Sequence, residues 1–152
     1  MRAVVQRVKH ASVEVEDKTV GKIGLGFLVL LGVGKGDSEK EADLLASKIS
    51  KMRIFSDDKG KMNLALSDVG GELLVISQFT LYANCVHGNR PDYFNAEGPD
   101  RANCLYEYFV KKISDLTGIE AQKGIFGADM KVDLLNDGPV TIILDTNELK
   151  RK

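Results

Sequence analysis

Val13 and Val15 alternate with Ser12, Glu14 and Glu16, the period of a half-buried strand. Asp17-Lys18 predicts a turn, and residues 19–23 return as a second strand. Phe27-Leu28-Val29-Leu30-Leu31 is apolar throughout between Gly26 and Gly32, which predicts a strand buried on both faces. Ser38 and Glu41 have the spacing of a capping box. Ala42, Leu45, Ala46, Ile49 and Met52 then recur at helical spacing, so residues 39–52 are expected to form an amphipathic helix. Asp57-Asp58-Lys59-Gly60 predicts a hairpin turn, and residues 72–82 a long strand. Residues 84–97 show no period and read as a loop long enough to carry function. A second helix is expected from Pro99, with its apolar stripe at Ala102, Leu105, Phe109, Ile113 and Leu116 and its stop at Gly118. Short strands at 120–122, 130–135 and 140–145 finish the chain, the last two joined by Asn136-Asp137-Gly138-Pro139. This order predicts a single α+β domain over residues 1–152: a curled, largely antiparallel, barrel-like sheet with two helices packed on the outside.

Composition narrows the classes. Hydrophobic residues make up 43% and charged residues 28%, the balance of a folded soluble domain. A formal net charge of −1 argues against a protein that coats nucleic acid non-specifically, because such binding neutralises many phosphates. It leaves room for a small basic patch. Cys85 and Cys104 form no CxxC pair, and His10 and His87 lie far apart, so neither a disulfide framework nor a His-rich metal centre is expected. Residues 2–9 alternate charged and apolar positions, unlike a signal peptide. The longest apolar run, 23–33, holds three glycines and falls short of the ~20 residues of a membrane span. A cytoplasmic location without membrane contact is expected. Lys150-Arg151-Lys152 reads as a frayed tail.

The most informative stretch is Leu73-Leu74-Val75-Ile76-Ser77-Gln78-Phe79-Thr80-Leu81. On a period of two, Gln78 and Thr80 share the face of Leu74 and Ile76, and Ser77 shares that of Val75 and Phe79. Polar groups on both faces of an apolar strand end are either satisfied by neighbouring strands or open into a pocket. Leaving them buried and unbonded would cost about 1–3 kcal/mol each. A nucleophilic Ser77 or Thr80 would need a base, yet neither histidine has a partner motif and no GxSxG elbow exists. Gly138-Pro139 reads as a hairpin turn or as a cis pair. Arg90 is a solvated loop residue or a phosphate contact. Phe126 and Met130, flanking Gly127, are core or a soft shelf for a base.

Taken together, these residues resemble the D-aminoacyl-tRNA deacylase family along the whole chain, from Val5-Gln6-Arg7-Val8 and Ala11-Ser12-Val13 onward. The most specific matches are Ser77-Gln78-Phe79-Thr80-Leu81 and Asn136-Asp137-Gly138-Pro139-Val140-Thr141. Arg53-Ile54-Phe55-Ser56-Asp57, Gly60-Lys61-Met62-Asn63-Leu64, Gly88-Asn89-Arg90-Pro91 and Phe126-Gly127-Ala128-Asp129-Met130 support them.

The resemblance implies a homodimeric editing hydrolase that cleaves the ester of D-aminoacyl-tRNA, and also glycine mischarged on alanine tRNA. It implies that Ser77, Gln78, Phe79 and Thr80 floor the pocket, with backbone N–H groups near Phe79 and Thr80 as oxyanion donors. Gly138 and Pro139, as a cis pair from the other subunit, would exclude L-substrates, with Arg7 holding that motif. Phe126 and Met130 would lie near the terminal adenine. The vicinal 2′-OH of the substrate would assist water, so no metal, cofactor or side-chain nucleophile is implied. The alternative is a nucleic-acid-binding module without hydrolytic role. Against it stand the net charge and the lack of a basic, aromatic-laced strand surface. A purely structural dimer would leave the polar end of the 73–81 stretch unexplained.

Overall fold

The apolar rhythm of the first strand changes phase, and the architecture follows from that change. In the computed structural model, which describes residues 1–151, β1 (Arg2–Val15) buries Ala3 and Val5, then Val8, then Ala11 and Val13. The odd-numbered face is lost at Val8 and regained at Ala11, and the ladder slips at the same places. Before the slip, β1 pairs antiparallel with β3 (Gly26–Gly32); after it, with β2 (Lys18–Ile23). Strand β1 thus serves two cores. Ala3 and Val5 join Phe27, Val29 and Leu31 beneath the helices, whereas Val8, Ala11 and Val13 meet Leu28, Leu74 and Ile76 on the other side of the sheet.

The helices are α1 (Glu39–Ser50) and α2 (Pro99–Thr117), which pack on each other over the first core. The capping box forms as expected, with the Ser38 N–H donating to Glu41 Oε2 at 2.7 Å. Helix α2 begins at its proline and ends at Gly118, whose φ of +69° is the left-handed C-cap. Leu116, assigned to its buried stripe, is half-exposed. A short hairpin, β4 (Phe55–Ser56) with β5 (Met62–Leu64), follows α1 around the expected turn.

The sheet differs from the expectation in its connections. β6 (Glu72–Ser77) lies parallel to β3, and β7 (Gln122–Lys123) parallel to β6, so α1 and α2 sit in crossovers rather than outside a hairpin meander. The result is a mixed α+β fold with a nearly closed, barrel-like sheet. Gly21 of β2 marks the closure: a Cβ there would stand 2.8 Å from the Lys123 carbonyl oxygen of β7.

Two further corrections bear on the site. The strand expected over 72–82 stops at Ser77, and Phe79–Tyr82 coils into a 3-10 turn. Residues 130–145 are not a hairpin. They belong to one strand, β8 (Lys131–Asp145), whose two halves, 131–136 and 141–145, both pair antiparallel with β1. Asn136 faces Val8 and Thr141 faces Gln6, so residues 137–140 are extruded opposite Arg7 alone. The tail is also ordered at its start. A third helix, α3 (Thr146–Leu149), is capped by Asp145, and Lys150 bonds Glu41. Lys152 of the expected frayed tail lies outside the described residues.

Candidate functional site

At the end of β6 the Gln78 N–H still donates to the Leu31 carbonyl at 2.7 Å, after which the chain turns away from the sheet. The 3-10 turn closes through Leu81 N–H to Gln78 O at 3.2 Å and Ala83 N–H to Thr80 O at 3.0 Å. The N–H groups of Phe79 and Thr80 make no backbone hydrogen bond among the described residues, as expected for the first donors of a helical turn. The turn is held from beneath. Arg2 donates from Nη1 to the Leu81 carbonyl at 3.0 Å and from Nε to Asp145 at 2.9 Å, and its guanidinium lies 4.6 Å from the Tyr82 ring centroid. A Cβ on Gly34 would fall 2.6 Å from Tyr82 Cζ, so only glycine lets that ring sit here.

Above the turn opens a cavity of about 580 Å³, the size of a small-ligand site. Its lining includes Ser77, Gln78 and Phe79 at the end of β6, and Phe126, Met130 and Val132 before and at the start of β8. Tyr106 of α2 also lines it, its hydroxyl donating to the Val75 carbonyl at 2.7 Å and its ring 6.1 Å from Phe126. The Phe79 ring is exposed and meets Tyr93 edge-on at 4.9 Å. Thus the 84–97 loop contributes to the lining beside Phe79.

The titratable groups of the cavity include the carboxylates Glu97 and Asp129 but no imidazole. Burial pushes the Tyr106 phenol well above its ordinary value, and burial with the nearby Asp37 and Asp145 charges does the same to Tyr82. Burial acts to raise the Asp145 carboxyl, but the Arg2 hydrogen bond outweighs it and holds the group below its usual range. Neither histidine lines the cavity, and His10 stands 3.9 Å from Asp133 on the outer strands. The Thr80 hydroxyl is bonded to the Gln78 amide. This constellation offers backbone donors and polar side chains but no hydroxyl activated by an imidazole.

The remaining predicted residues gather elsewhere. Arg7 donates from Nε to the Asp137 carbonyl at 2.7 Å and from Nη1 to the Ile54 carbonyl at 2.6 Å. The Gly138–Pro139 peptide is cis, and Gly138 has φ +155°. Both residues are exposed at the extruded segment, and neither they nor Arg7 line the cavity of their own chain. Ser77, Gln78, Phe79, Phe126 and Met130 therefore come together, with Thr80 beside them, while Arg7, Gly138 and Pro139 form a second cluster. Sequence reasoning missed Arg2, Tyr82 and Glu97. Glu97 lines the cavity, but no local pattern distinguishes it from other loop carboxylates.

The family model described as D-Tyr-tRNA(Tyr) deacylase matches residues 4–145. A D-aminoacyl-tRNA deacylase of Geotalea uraniireducens is 59% identical over 152 residues, covering 100% of this chain and 97% of that protein. One of Thermosipho melanesiensis is 55% identical, covering 98% and 99%. Among solved structures, a c-Myc DNA unwinding element binding protein superposes with TM-score 0.88 at 40% identity, over 95% of this chain and 98% of that one. A probable eukaryotic D-amino acid tRNA deacylase shares the fold at TM-score 0.79 and 16% identity, over 94% and 97%. Among the described residues no helix is long and apolar enough to cross a membrane.

Proposed function

The chain belongs to the D-Tyr-tRNA(Tyr) deacylase family and is a hydrolase acting on D-aminoacyl-tRNA, and we propose that its chemistry is done by the Ser77–Thr80 strand end with help from the substrate. The observation that carries this reading is the pair of N–H groups at Phe79 and Thr80 that make no backbone hydrogen bond among the described residues, at the edge of a cavity lined by neither histidine. An aminoacyl ester is already activated. Water attacks its carbonyl, the developing oxyanion is held by those N–H groups, the vicinal 2′-OH of the terminal ribose orients the water, and the water's proton ends on the 3′-oxygen as its bond to the carbonyl carbon breaks. A single good donor of this kind is worth about 10²–10³ in rate. Gln78 orients Thr80, and Phe126 and Met130 bracket the terminal adenine.

The working enzyme in this reading is a cytoplasmic homodimer that binds tRNA. Support comes from the exposed Gly138-Pro139 segment and from the apolar side chains Leu135 and Ile143 exposed on β8, an edge strand paired only with β1. A second copy would cover that face and bring Gly138 and Pro139 over the cavity. Their carbonyls would accept from the substrate ammonium and occupy the volume of an L side chain, while a D side chain points outward. Glycine, lacking a side chain, passes, so glycyl-tRNA is a further substrate. The test is release of free tyrosine from D- and L-tyrosyl-tRNA by purified protein. Cleavage of the D form alone supports this account, and equal cleavage of both removes the exclusion device.

The likeness to a DNA unwinding element binding protein favours a second reading, a nucleic-acid-binding module. A cavity lined by no lysine, arginine or histidine among the described residues and a net charge of −1 favour the hydrolase.

A further inference from the structure

Two carboxylates line the cavity, Glu97 and Asp129, and no cationic side chain does so among the described residues. A phosphate is therefore unsuited to the interior, and a neutral ligand rich in donors is suited to it. Asp129 is open to solvent, its side chain 85% exposed and 3.1 Å from the Lys131 ammonium. Glu97 is different. Its side chain is only 18% exposed, Oε1 accepts from the Gly98 N–H at 2.8 Å, and Oε2 stands 3.6 Å from Arg101 Nε. Its backbone N–H donates to the Val33 carbonyl at 3.0 Å, and Arg101 in turn donates to the Asp37 carbonyl at 2.8 Å. The carboxylate is thus fixed in place with acceptor capacity to spare, since each oxygen takes about two hydrogen bonds.

Its position selects the ligand group. The Glu97 N–H is held by the Val33 carbonyl, two residues beyond the Leu31 carbonyl that holds the Gln78 N–H, and Tyr93 of the same loop packs on Phe79, so Glu97 belongs with the Ser77–Phe79 lining, where the ester carbonyl would be held. Phe126 and Met130, assigned to the base, lie on the segment that precedes β8. When the amino acid is esterified to the 3′-oxygen, the 2′-hydroxyl is the one free hydroxyl on the ribose beside it. An acidic side chain accepting from a ribose 2′-hydroxyl is a recurrent device in nucleotide sites.

Resting on the deacylase reading of this cavity, we propose that Glu97 is a positioning residue that accepts a hydrogen bond from the 2′-hydroxyl of the terminal ribose. It takes no proton. It turns the O–H toward itself and leaves the 2′-oxygen lone pairs facing the attacking water. Glu97→Gln keeps an acceptor for Gly98 but loses the charge, and Glu97→Ala loses both.

The test measures dissociation constants of adenosine and 2′-deoxyadenosine by calorimetric or NMR titration of wild type and both variants. The expected result is a preference of about tenfold or more for adenosine in wild type, a smaller one in Glu97→Gln and none in Glu97→Ala. A wild type that does not prefer adenosine, including one that binds neither nucleoside, overturns the assignment. So does a Glu97→Ala protein that keeps the preference, or one that loses affinity for both nucleosides alike, as a mere anchor of α2 would. Cleavage of D-tyrosyl-tRNA by wild type is measured alongside. Its absence would sink the deacylase reading, while the nucleoside preference still decides the role of Glu97.

Discussion

Arg7 Nε and the carbonyl oxygen of Asp137 stand 2.7 Å apart, and the same guanidinium reaches the Ile54 carbonyl at 2.6 Å. One side chain therefore ties the extruded 137–140 segment of β8 to the loop after α1. Charge-assisted bonds of this kind contribute about 1.5–3 kcal/mol each when buried. Replacing Arg7 by alanine is expected to loosen the segment while leaving the cavity floor intact. The ratio of D- to L-tyrosyl-tRNA cleavage should fall, chiefly through a gain on the L substrate. An unchanged ratio would mean the segment has no part in selection.

Gly138 has φ +155°, and a Cβ there would lie 2.5 Å from the Val140 nitrogen and 2.9 Å from Val140 Cγ2. Backbone must shift to admit any side chain. Gly138→Ala is expected to lower D-substrate cleavage by at least about tenfold, a cost on the scale of a local strain of 1–3 kcal/mol. Gly60→Ala, at φ +74° with open space around it, is the control and should stay near wild type in activity.

Thr80 has its hydroxyl engaged by Gln78, and neither histidine lines the cavity beside it. Thr80→Ala should retain substantial single-turnover activity, within about tenfold of wild type. A 2′-deoxy terminal ribose should cost about a hundredfold or more, the scale of a transition-state contact. Complete loss in Thr80→Ala, with folding and tRNA binding intact, would make the hydroxyl the nucleophile.

Mixing separates the two clusters. A protein with Gln78 and Thr80 replaced and a protein carrying Gly138→Ala should each be impaired. In the proposed homodimer, each mixed pair should regain one working site after subunit exchange. No recovery despite demonstrated exchange would mean each chain completes its own site.

Acid stability is read at Glu41. Burial acts to raise its pKa, but hydrogen bonds from Lys150 and from the Ser38 side chain and backbone win and bring it from 4.5 to about 2. The folded value lies below the unfolded one, so this carboxylate stabilises the fold above about pH 4.5. That contribution is lost as pH falls from there toward 2. Lys150→Met should raise the acid-unfolding midpoint followed by circular dichroism, and cost about 0.5–1 kcal/mol at neutral pH.

Elements bounded by chemistry of their own were legible in the sequence. Ser38 with Glu41 opens α1, and Pro99 and Gly118 bracket α2, because caps act within a turn of the residues that make them. The 72–82 stretch misled because Phe79 and Leu81 continue the apolar alternation past the last paired residue, Ser77. Asn136-Asp137-Gly138-Pro139 has every local feature of a hairpin turn. Pairing of both flanking segments with β1 overrides it, and that preference is visible only once β1 is in place. Of the site, the Ser77–Phe79 end was readable from polar residues closing an apolar run. Arg2 and Glu97 were not, because their partners lie at distant positions, Arg2 with Leu81 and Asp145 and Glu97 with Val33.

Arg2 joins a residue of the first strand to Leu81 in the middle of the chain and to Asp145 at the end of β8. The floor of the cavity is therefore not a local structure that can fold ahead of the rest. It reaches its final shape only after β8 has emerged and aligned against β1, so a nascent or truncated chain lacking β8 would hold the floor residues without the arrangement that makes them competent. The hydrogen-bonded amides of Leu81 and Ala83, which close the turn, should therefore exchange with solvent more slowly than those of Phe79 and Thr80, and their protection should fall when Arg2 is replaced.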